Sequence, residues 1–292
     1  MLEFLQQMIN GLSIGSIYAL IALGYTMVYG IIKLINFAHG DMYMIGAYVG
    51  MISVTTFKLP FVLALPATMI VTGVLGVVIE RIAYRPLRKS TRVAALITAI
   101  GVSFFLQNAV SRIMGAKIYT FPPVLENRTF MFYGLRFNTQ QIAIFVTAIL
   151  LMILLQVIVK KTKVGRAMRS VAVDQDAAKL MGVNVDRTIS LTFAIGSSLA
   201  AAAGILVGIY YNTINPLMGF APGLKAFVAA VFGGIGIIPG AMIGGFAIGL
   251  IETMVSGYGS TLYKDAVVYI ILILVLIIKP SGLLGKNRKE KV

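Results

Sequence analysis

Cysteine is absent from the sequence, and there is a single histidine, His39. A chain without cysteine can form no disulfide and no thiolate metal site, and one histidine excludes any metal site built from several histidines. We therefore expect neither a metal nor another cofactor. Charged side chains are also scarce, at 12% of the residues, which is about half of their usual share in soluble domains. A water-soluble fold of this size could not cover its surface with so few charges, and this favours a membrane protein.

Hydrophobic residues make up 59% of the sequence and occur in long blocks. Residues 140–159 and 266–278 are nearly free of charge, and such runs approach the length of about 20 residues that a membrane-spanning helix needs. Helix is expected for each block because backbone in contact with lipid must satisfy its hydrogen bonds internally. The sequence lacks the short alternating segments of a membrane β-barrel. It thus predicts an all-α, polytopic integral membrane helical bundle.

Basic residues outnumber acidic ones, which gives a formal net charge of +15. Seventeen of the 25 Lys and Arg residues fall in three places, namely residues 81–92, residues 160–187 and the tail from Lys279. Nucleic-acid binding would require basic residues gathered on one soluble face, whereas here they lie between apolar runs. The pattern is the positive-inside distribution of membrane proteins, so all three regions are predicted to be cytoplasmic. Membrane lipid, and not nucleic acid, is the expected surrounding.

The apolar segments and the basic regions together predict a topology. Six segments are clear, at about residues 8–29, 40–57, 61–79, 93–110, 140–159 and 189–210. Cytoplasmic basic regions then require an even number of crossings, or a re-entrant segment, within residues 218–257, followed by a span at 266–278. We expect eight or nine transmembrane segments with broken or re-entrant helices, an external amino terminus, and a single transmembrane domain over residues 1–292. The outer loop at 115–138 is expected to be structured, with a short hairpin.

Two places depart from a plain helical bundle. Polar residues interrupt the apolar pattern between positions 30 and 43, and glycines surround Pro239 between positions 233 and 240. A pair of broken apolar segments in the two halves of a transporter points to its substrate path, because broken helices expose backbone groups at membrane depth. Elsewhere, glycines spaced four residues apart, such as Gly11 with Gly15 and Gly46 with Gly50, are typical of close helix packing.

Polar groups and glycines at these breaks, and polar groups within the apolar spans, are candidates for lining a substrate pathway. On a helix beginning near Asn36, one face would carry that residue together with His39, Gly40 and Tyr43. These groups could equally lie at the membrane interface, and Glu252 could pair with Lys264 or a backbone donor instead of contacting substrate. The full set is Asn36, His39, Gly40, Asp41, Tyr43, Gln107, Asn108, Gly233, Gly234 and Glu252.

The basic segment at about 160–187 is too short for a domain but contains helix-forming stretches. From residue 172 to 181, Ala177, Leu180 and Met181 fall on one face, whereas Asp174 and Lys179 point elsewhere. A short amphipathic helix held at the cytoplasmic face could press against a motor subunit. A helix lying on the lipid surface would show a similar pattern.

Three segments carry distinctive sequences, namely residues 10–48, containing NFAHGDMYMIGAY, residues 164–183, VGRAMRSVAVDQDAAKLMGV, and residues 233–245, GGIGIIPGAMIGG. Together they resemble the permease subunits of branched-chain amino-acid ABC transporters, of the LivH type, and the likeness extends over nearly the whole chain. Within the second segment, the resemblance implies an ATPase-coupling motif. Its residues are Gly165, Arg166, Asp176, Ala177, Ala178 and Gly182. Asp176 stands where the wider motif has glutamate, and the apolar residues after Gly182 come sooner than in its usual spacing.

The resemblance implies a set of partners and a mechanism. The partners are a second, LivM-like permease subunit, two cytoplasmic ATP-binding subunits and an external solute-binding protein that delivers leucine, isoleucine or valine. This chain would then be a transport subunit and not an enzyme, since it has no G-x-x-x-x-G-K-[ST] loop for ATP. It would work by alternating access as a multi-pass protein of the bacterial inner membrane. Related permeases also serve urea, short amides and other neutral amino acids.

A secondary transporter for small polar solutes is the main alternative, because it would share broken helices and polar groups at the membrane midplane. Such a protein needs an ion or proton site, and near the spans only Asp41, Glu80 and Glu252 supply acidic groups. A channel or a membrane scaffold would leave the cytoplasmic helix unexplained.

Overall fold

The computed structural model describes residues 1–88 and 90–285 of the chain. This part is built from helices, with four short strands on one side. In chain order the helices are α1 Leu2–Ile32, α2 His39–Thr55, α3 Phe61–Ile79, α4 Arg92–Met114, α5 Thr139–Lys161, α6 Lys163–Val173, α7 Gln175–Leu180, α8 Val185–Tyr211, α9 Phe220–Gly233, α10 Ile238–Tyr258 and α11 Lys264–Ile278. A π-helical turn, Glu80–Tyr84, continues α3.

Helices α1 and α8 form the centre of the bundle, and most of each is buried. They pack against each other and against α10, α2, α3 and α9. The outer helices α3, α4 and α5 leave most of their apolar windows uncovered. Apolar side chains on the outside of a helical bundle are expected where the surrounding solvent is lipid. The fold is therefore that of a polytopic helical membrane protein.

Helix length separates two groups of membrane helices. Six helices in the described ranges are long and apolar enough to cross a bilayer, namely Leu2–Ile32, Phe61–Tyr84, Val93–Met114, Thr139–Lys161, Val185–Tyr211 and Ile238–Tyr258. Helices α2, α9 and α11 have 17, 14 and 15 residues. At about 1.5 Å per residue, α9 extends only about 21 Å against a hydrocarbon core of about 30 Å. The structure confirms a polytopic helical bundle, and the count of eight or nine spans stays a prediction.

Both predicted breaks are present. Helix α1 ends before Lys33, whose φ of 56° is left-handed, and α2 begins only at His39. The prediction that Asn36 shares a helix face with His39, Gly40 and Tyr43 is therefore wrong, because Asn36 precedes the helix. The second break lies between Gly233 and Ile238, and Pro239 occupies the first turn of α10, where its missing N–H leaves no helical hydrogen bond unmade.

The spaced glycines lie on helix–helix contacts, as predicted. A Cβ built on Gly15 would lie 2.8 Å from Cα of Phe246, and one on Gly11 would lie 2.9 Å from Cα of Leu250, so the backbones of α1 and α10 touch. Gly46 meets Ala201 of α8 in the same way. Small residues at these positions let van der Waals packing hold the bundle together in lipid.

The segment between α4 and α5 contains the expected hairpin. Strands β2 Thr129–Phe132 and β3 Leu135–Asn138 pair antiparallel, and both turn residues, Tyr133 and Gly134, have positive φ, as a two-residue hairpin turn requires. Two-residue strands β1 Tyr119–Thr120 and β4 Thr213–Ile214 form a separate antiparallel pair. The all-α prediction thus holds for the bundle but not for these two small sheets.

The basic segment after α5 folds as two helices, and not as the single helix predicted over 172–181. Asp174 interrupts it, because its carboxylate accepts hydrogen bonds from the N–H groups of Asp176 and Ala177, both at 2.9 Å. Asp174 thereby becomes the N-cap of α7, a position that aspartate favours.

Candidate substrate cavity and coupling surface

The first turns of the two short helices α2 and α9 meet inside the bundle. A Cβ built on Gly40 would lie 2.5 Å from the carbonyl oxygen of Gly219 and 3.1 Å from Cα of Gly223. The neighbouring His39 ring lies against Gly24 of α1, eight residues before that helix ends. At about 1.5 Å per residue, this is about 12 Å from the end of α1. Helix α2 therefore begins within the bundle, and the start of α9 meets it there through Gly219 and Gly223, while Phe220 and Ala221 of α9 are exposed.

A cavity of about 330 Å³ lies between these helix ends and α4. Its volume falls at the lower end of the range of about 300–1,000 Å³ that small-molecule sites occupy. Its lining residues are Tyr25, Phe37, Gly40, Asp41, Leu96, Ile100, Ser103, Phe104, Gln107, Gly219, Phe220, Gly223 and Leu224. Three residues predicted from the sequence, Gly40, Asp41 and Gln107, are brought together here.

Asp41 is the acidic group of this cavity. It is 2% exposed, and its Oδ1 accepts a hydrogen bond from Nε2 of Gln107 at 3.0 Å. The same Nε2 lies 3.2 Å from Oγ of Ser103. None of the ion pairs found within residues 1–88 and 90–285 involves Asp41. The carboxyl group is thus held at depth by neutral partners.

The other candidates near the first break lie outside the cavity lining. His39 is buried between α1 and α2, with its ring edge-on to Tyr25 at a centroid distance of 4.7 Å. Tyr43 packs against Gly204 of α8. Asn36 accepts a hydrogen bond from the hydroxyl of Tyr84 at 2.6 Å. These three residues help to hold the break in place.

Two further predicted residues are also placed away from the cavity. Asn108 is exposed on α4 and donates to the carbonyl of Phe104 at 2.8 Å. Gly233 packs against Gly240 at the turn between α9 and α10. The adjacent Gly234 has a φ of 110°, and a Cβ built there would lie 3.0 Å from the backbone nitrogen of Gly285. This turn is at the opposite end of α9 from the cavity.

Sequence reasoning missed Ser103, Tyr25 and the first turn of α9. The signal available for α9 was the sequence GFAPG at residues 219–223, in which two glycines and a proline begin a short apolar helix. That pattern marks a broken segment as clearly as the glycines near Pro239 do.

Glu252 belongs to a separate buried ion cluster. Its Oε1 accepts from Nζ of Lys225 at 2.7 Å, and its Oε2 accepts from the hydroxyl of Tyr18 at 2.7 Å. Lys225 also lies 2.6 Å from Asp265, whereas Lys264 is 3.6 Å from Glu252. The pairing with Lys264 that the sequence suggested is present but secondary. The cluster joins α1, α9, α10 and α11.

Helix α7 presents an apolar surface next to charged groups. Leu180 and Met181 are 88% and 84% exposed, and Ala177 and Asp176 are also exposed. Ala178 is 4% exposed and faces the bundle, so it cannot contact a partner subunit from this position. Only one of the two alanines of the coupling motif is therefore available.

The remaining residues of the predicted coupling motif shape the ends of α6 and α7. Gly182 has a left-handed conformation, with a φ of 82°, and its N–H donates to the carbonyl oxygen of Lys179 at 3.0 Å. It ends α7 as a C-cap glycine does. Gly165 is buried where α6 folds back on α5, against the carbonyls of residues 158 and 159, and Arg166 beside it is exposed.

A cluster of charged groups lies beside α7, and we refer to it as the α3–α8 clasp. Glu80 is fully buried and pairs with Arg88, while Oγ of Ser190 donates to Glu80 at 2.6 Å. Arg88 also pairs with Asp186 at 2.6 Å, and Arg85 joins the same carboxylate. The clasp ties the end of α3 to the start of α8. Together with α7 it borders an open groove of about 670 Å³.

The fold and the cavity define a class: a polytopic helical membrane protein whose broken helices enclose a small-molecule cavity. Sequence comparison identifies the family. The profile described as "Branched-chain amino acid transport system / permease component" matches residues 7–276. The chain belongs to this family, as a permease subunit of an ABC importer.

Named relatives match this chain over nearly the full length of both sequences. The high-affinity branched-chain amino acid transport system permease protein LivH of Escherichia coli (strain K12) is 47% identical, over 100% of this chain and 98% of the relative. BraD of Pseudomonas aeruginosa is 47% identical over 99% and 98%. A probable LivH of Methanocaldococcus jannaschii is 30% identical over 94% and 90%. All three are named as branched-chain amino acid transport permeases.

Among solved structures, a chain of PsaBC from Streptococcus pneumoniae, in complex with Fab, has a similar fold. The TM-score is 0.52 at 13% identity, over 95% of this chain and 92% of the other. At this identity the likeness concerns the fold alone.

Proposed function

We propose that this chain is one of two membrane subunits of an ATP-driven importer for branched-chain or related neutral amino acids in the bacterial inner membrane. The observation that carries the proposal is the 47% identity to LivH over the whole of both chains. The cavity supports it, because about 330 Å³ at the meeting point of two broken helices suits a small solute and not a macromolecule. Transport would proceed by alternating access within a single domain of eight or nine spans.

We propose the partners on the support of the same family membership. They are a second, LivM-like permease subunit, two cytoplasmic ATP-binding subunits that hydrolyse ATP, and an external solute-binding protein. Reconstitution tests the whole proposal. The assembled complex in proteoliposomes should take up leucine, isoleucine or valine when ATP is enclosed and binding protein is supplied, and an imposed ion gradient should not replace ATP. Uptake driven by the gradient alone would instead support a secondary transporter.

The orientation is proposed from the charge pattern, with the amino terminus outside and residues 160–187 inside. Lys89 and residues 286–292, which carry part of the first basic region and most of the basic tail, lie outside the described residues. Because the chain has no cysteine, single cysteines report the topology directly. A cysteine at the exposed Ser170 of α6 should resist a membrane-impermeant maleimide in intact cells and react after permeabilisation.

The control is a cysteine at Met131 in the hairpin, which is 69% exposed. It should react from outside without permeabilisation. The proposed orientation is wrong if the two cysteines show the reverse pattern.

The surface of α7 is proposed to contact an ATP-binding subunit. Leu180 and Met181 project from the bundle, and the buried centre of a protein interface is more apolar than its rim. We expect Leu180→Asp and Met181→Asp to reduce co-purification of the ATP-binding subunits by about tenfold or more, the factor that about 1.4 kcal/mol represents. ATP hydrolysis stimulated by loaded binding protein should fall in parallel.

Leu262→Asp is the matched control. Leu262 is 85% exposed in the connection between α10 and α11, which the proposed topology places outside. This variant should retain the ATP-binding subunits. A helix lying on lipid predicts a different result, because aspartate at positions 180 and 181 would then leave subunit co-purification unchanged.

A further inference from the structure

The cavity lining is mostly apolar and contains a small group of polar side chains. Asp41, Gln107, Ser103 and Tyr25 supply the polar groups, and hydrogen bonds link Gln107 to Ser103 and Asp41. The apolar part of the lining consists of Phe37, Leu96, Ile100, Phe104, Phe220 and Leu224. A ligand that satisfies both parts has a polar end and an aliphatic body.

The carboxyl group of Asp41 favours a cationic polar end. A buried carboxylate is stable when it is paired with a positive charge, and ionisable groups at membrane depth usually face a cavity or a partner. The Lys225–Glu252 pair in the same structure shows such compensation, with 2.7 Å between Nζ and Oε1. Asp41 makes no ion pair within the described ranges of the chain and lines an empty space. An ammonium group in the cavity would supply the missing positive charge.

The start of α9 favours a negative group on the same ligand. The first N–H groups of a helix have no intrahelical acceptor, and together with the helix dipole they attract anions. Helix α2 carries Asp41 in its first turn, but α9 has no acidic residue there. Gly219 and Gly223 line the cavity. Pro222 has no N–H, and the N–H groups of Phe220 and Gly223 donate to the carbonyls of Leu217 and Gly219, so the N–H groups of Gly219 and Ala221 are the ones that remain for a ligand in this turn. Half-helix amino termini hold substrate carboxylates in the same way in other transporter folds.

We propose that this cavity, within a single subunit, binds one aliphatic α-amino acid as a zwitterion. The ammonium group lies at Asp41, the carboxylate lies at the first turn of α9, and the branched side chain packs against the apolar wall that Ile100 and Phe104 of α4 help to form. The inference rests on the proposed function and names its substrate site. A lipid acyl chain would fill the apolar wall but would give no partner to Asp41.

The first test uses the complete complex, purified in detergent without binding protein. Wild type should bind radiolabelled leucine, and unlabelled leucine should compete while 4-methylpentanoate, which has the same carbon skeleton but no ammonium group, should not. Asp41→Asn should weaken leucine binding by at least about tenfold, the factor expected for loss of one charge-assisted hydrogen bond. Asp41→Glu should recover part of that loss. Equal competition by 4-methylpentanoate would overturn the assignment of the ammonium group.

The second test changes the volume of the cavity and leaves Asp41 in place. Ile100→Trp should lower leucine uptake by the complex more than valine uptake, because the larger indole fills the apolar side. Ile97→Trp is the control, since Ile97 is 62% exposed on the same helix and does not line the cavity. If Asp41→Asn does not assemble, the leucine-to-valine ratio of Ile100→Trp decides the question.

The outcomes separate the two proposals. A wild-type complex that shows no ATP-dependent amino-acid uptake contradicts the proposed function itself. A wild-type complex that transports leucine, together with an unchanged leucine-to-valine ratio in Ile100→Trp, leaves the function intact and shows that this cavity is not the substrate site.

Discussion

Replacing Lys225 with methionine is expected to lower the free energy of unfolding by about 3–5 kcal/mol, the cost of leaving a buried charge without its partner. Glu252 is 5% exposed and would keep only the hydroxyl of Tyr18 and the more distant Lys264. Because the cluster joins four helices, the loss should also reduce assembly. Thermal unfolding in detergent and the yield of assembled complex measure both effects.

A second substitution tests whether the unpaired charge of Glu252 causes the loss of stability. In the double variant Lys225→Met with Glu252→Gln, both buried charges are absent and glutamine can still accept from Tyr18, so most of the stability should return. Lys264→Met is the control, since this side chain is 38% exposed and lies 3.6 Å from Glu252. A partly exposed ion pair is worth about 0–1 kcal/mol. Equal stability of Lys225→Met and wild type would show that the cluster does not hold the bundle together.

Leucine at position 40 is expected to abolish transport. A Cβ there would lie 2.5 Å from the carbonyl oxygen of Gly219, and this neighbour is backbone that no rotamer change can move. The overlap should cost about 3 kcal/mol or more, at the upper end of overpacking penalties, or displace α9 and close the cavity. Uptake by the reconstituted complex should fall to background.

Gly101→Leu is the control for the substitution of glycine within a membrane helix. Gly101 lies on α4, and a Cβ there meets nothing within 4 Å, so uptake should be close to wild type. Gly234→Leu should behave like Gly40→Leu, because its φ of 110° disfavours every residue with a Cβ. Normal uptake with leucine at both positions 40 and 234 would mean that the two breaks are not needed for transport.

Local features of the bundle could be predicted because they depend on local sequence. The apolar runs predicted the long helices, and the polar stretch before His39 and the glycines around Pro239 predicted the breaks. Each of these features follows from backbone preferences and from the need to satisfy hydrogen bonds in lipid. They require no knowledge of which helices are neighbours.

The partners of buried charges could not be predicted, because they depend on that neighbourhood. Lys225 is visible in the apolar sequence of α9, but nothing within α9 shows that Glu252 of α10 and Asp265 of α11 lie beside it. Lys264 is nearer than Lys225 to Glu252 in the sequence, but in the structure it is the more distant partner, at 3.6 Å. Sequence separation is a poor guide where helices return through the same membrane.

The sequence also could not predict which face of α2 lines the cavity. His39, Gly40 and Asp41 are consecutive, and neighbouring positions on a helix point about 100° apart. The structure directs Asp41 and the bare backbone of Gly40 to the cavity and His39 into the core. Similarly, the rotation of α7 after its Asp174 cap buries Ala178 and exposes Ala177, which the motif alone could not show.

The α3–α8 clasp has a mechanical consequence. Helix α8 has 27 residues and is therefore a rod about 40 Å long. One end is fixed by Asp186 to Arg88 beside α7, and its middle touches α2 where Gly46 meets Ala201. Between these two points the helix is continuous and contains no proline, and Gly196 followed by Ser197 and Ser198 is where its sequence favours a bend. A tilt of α8 at its Asp186 end is therefore expected to reach α2, the helix whose first turn carries Asp41, as long as α8 stays straight at Gly196.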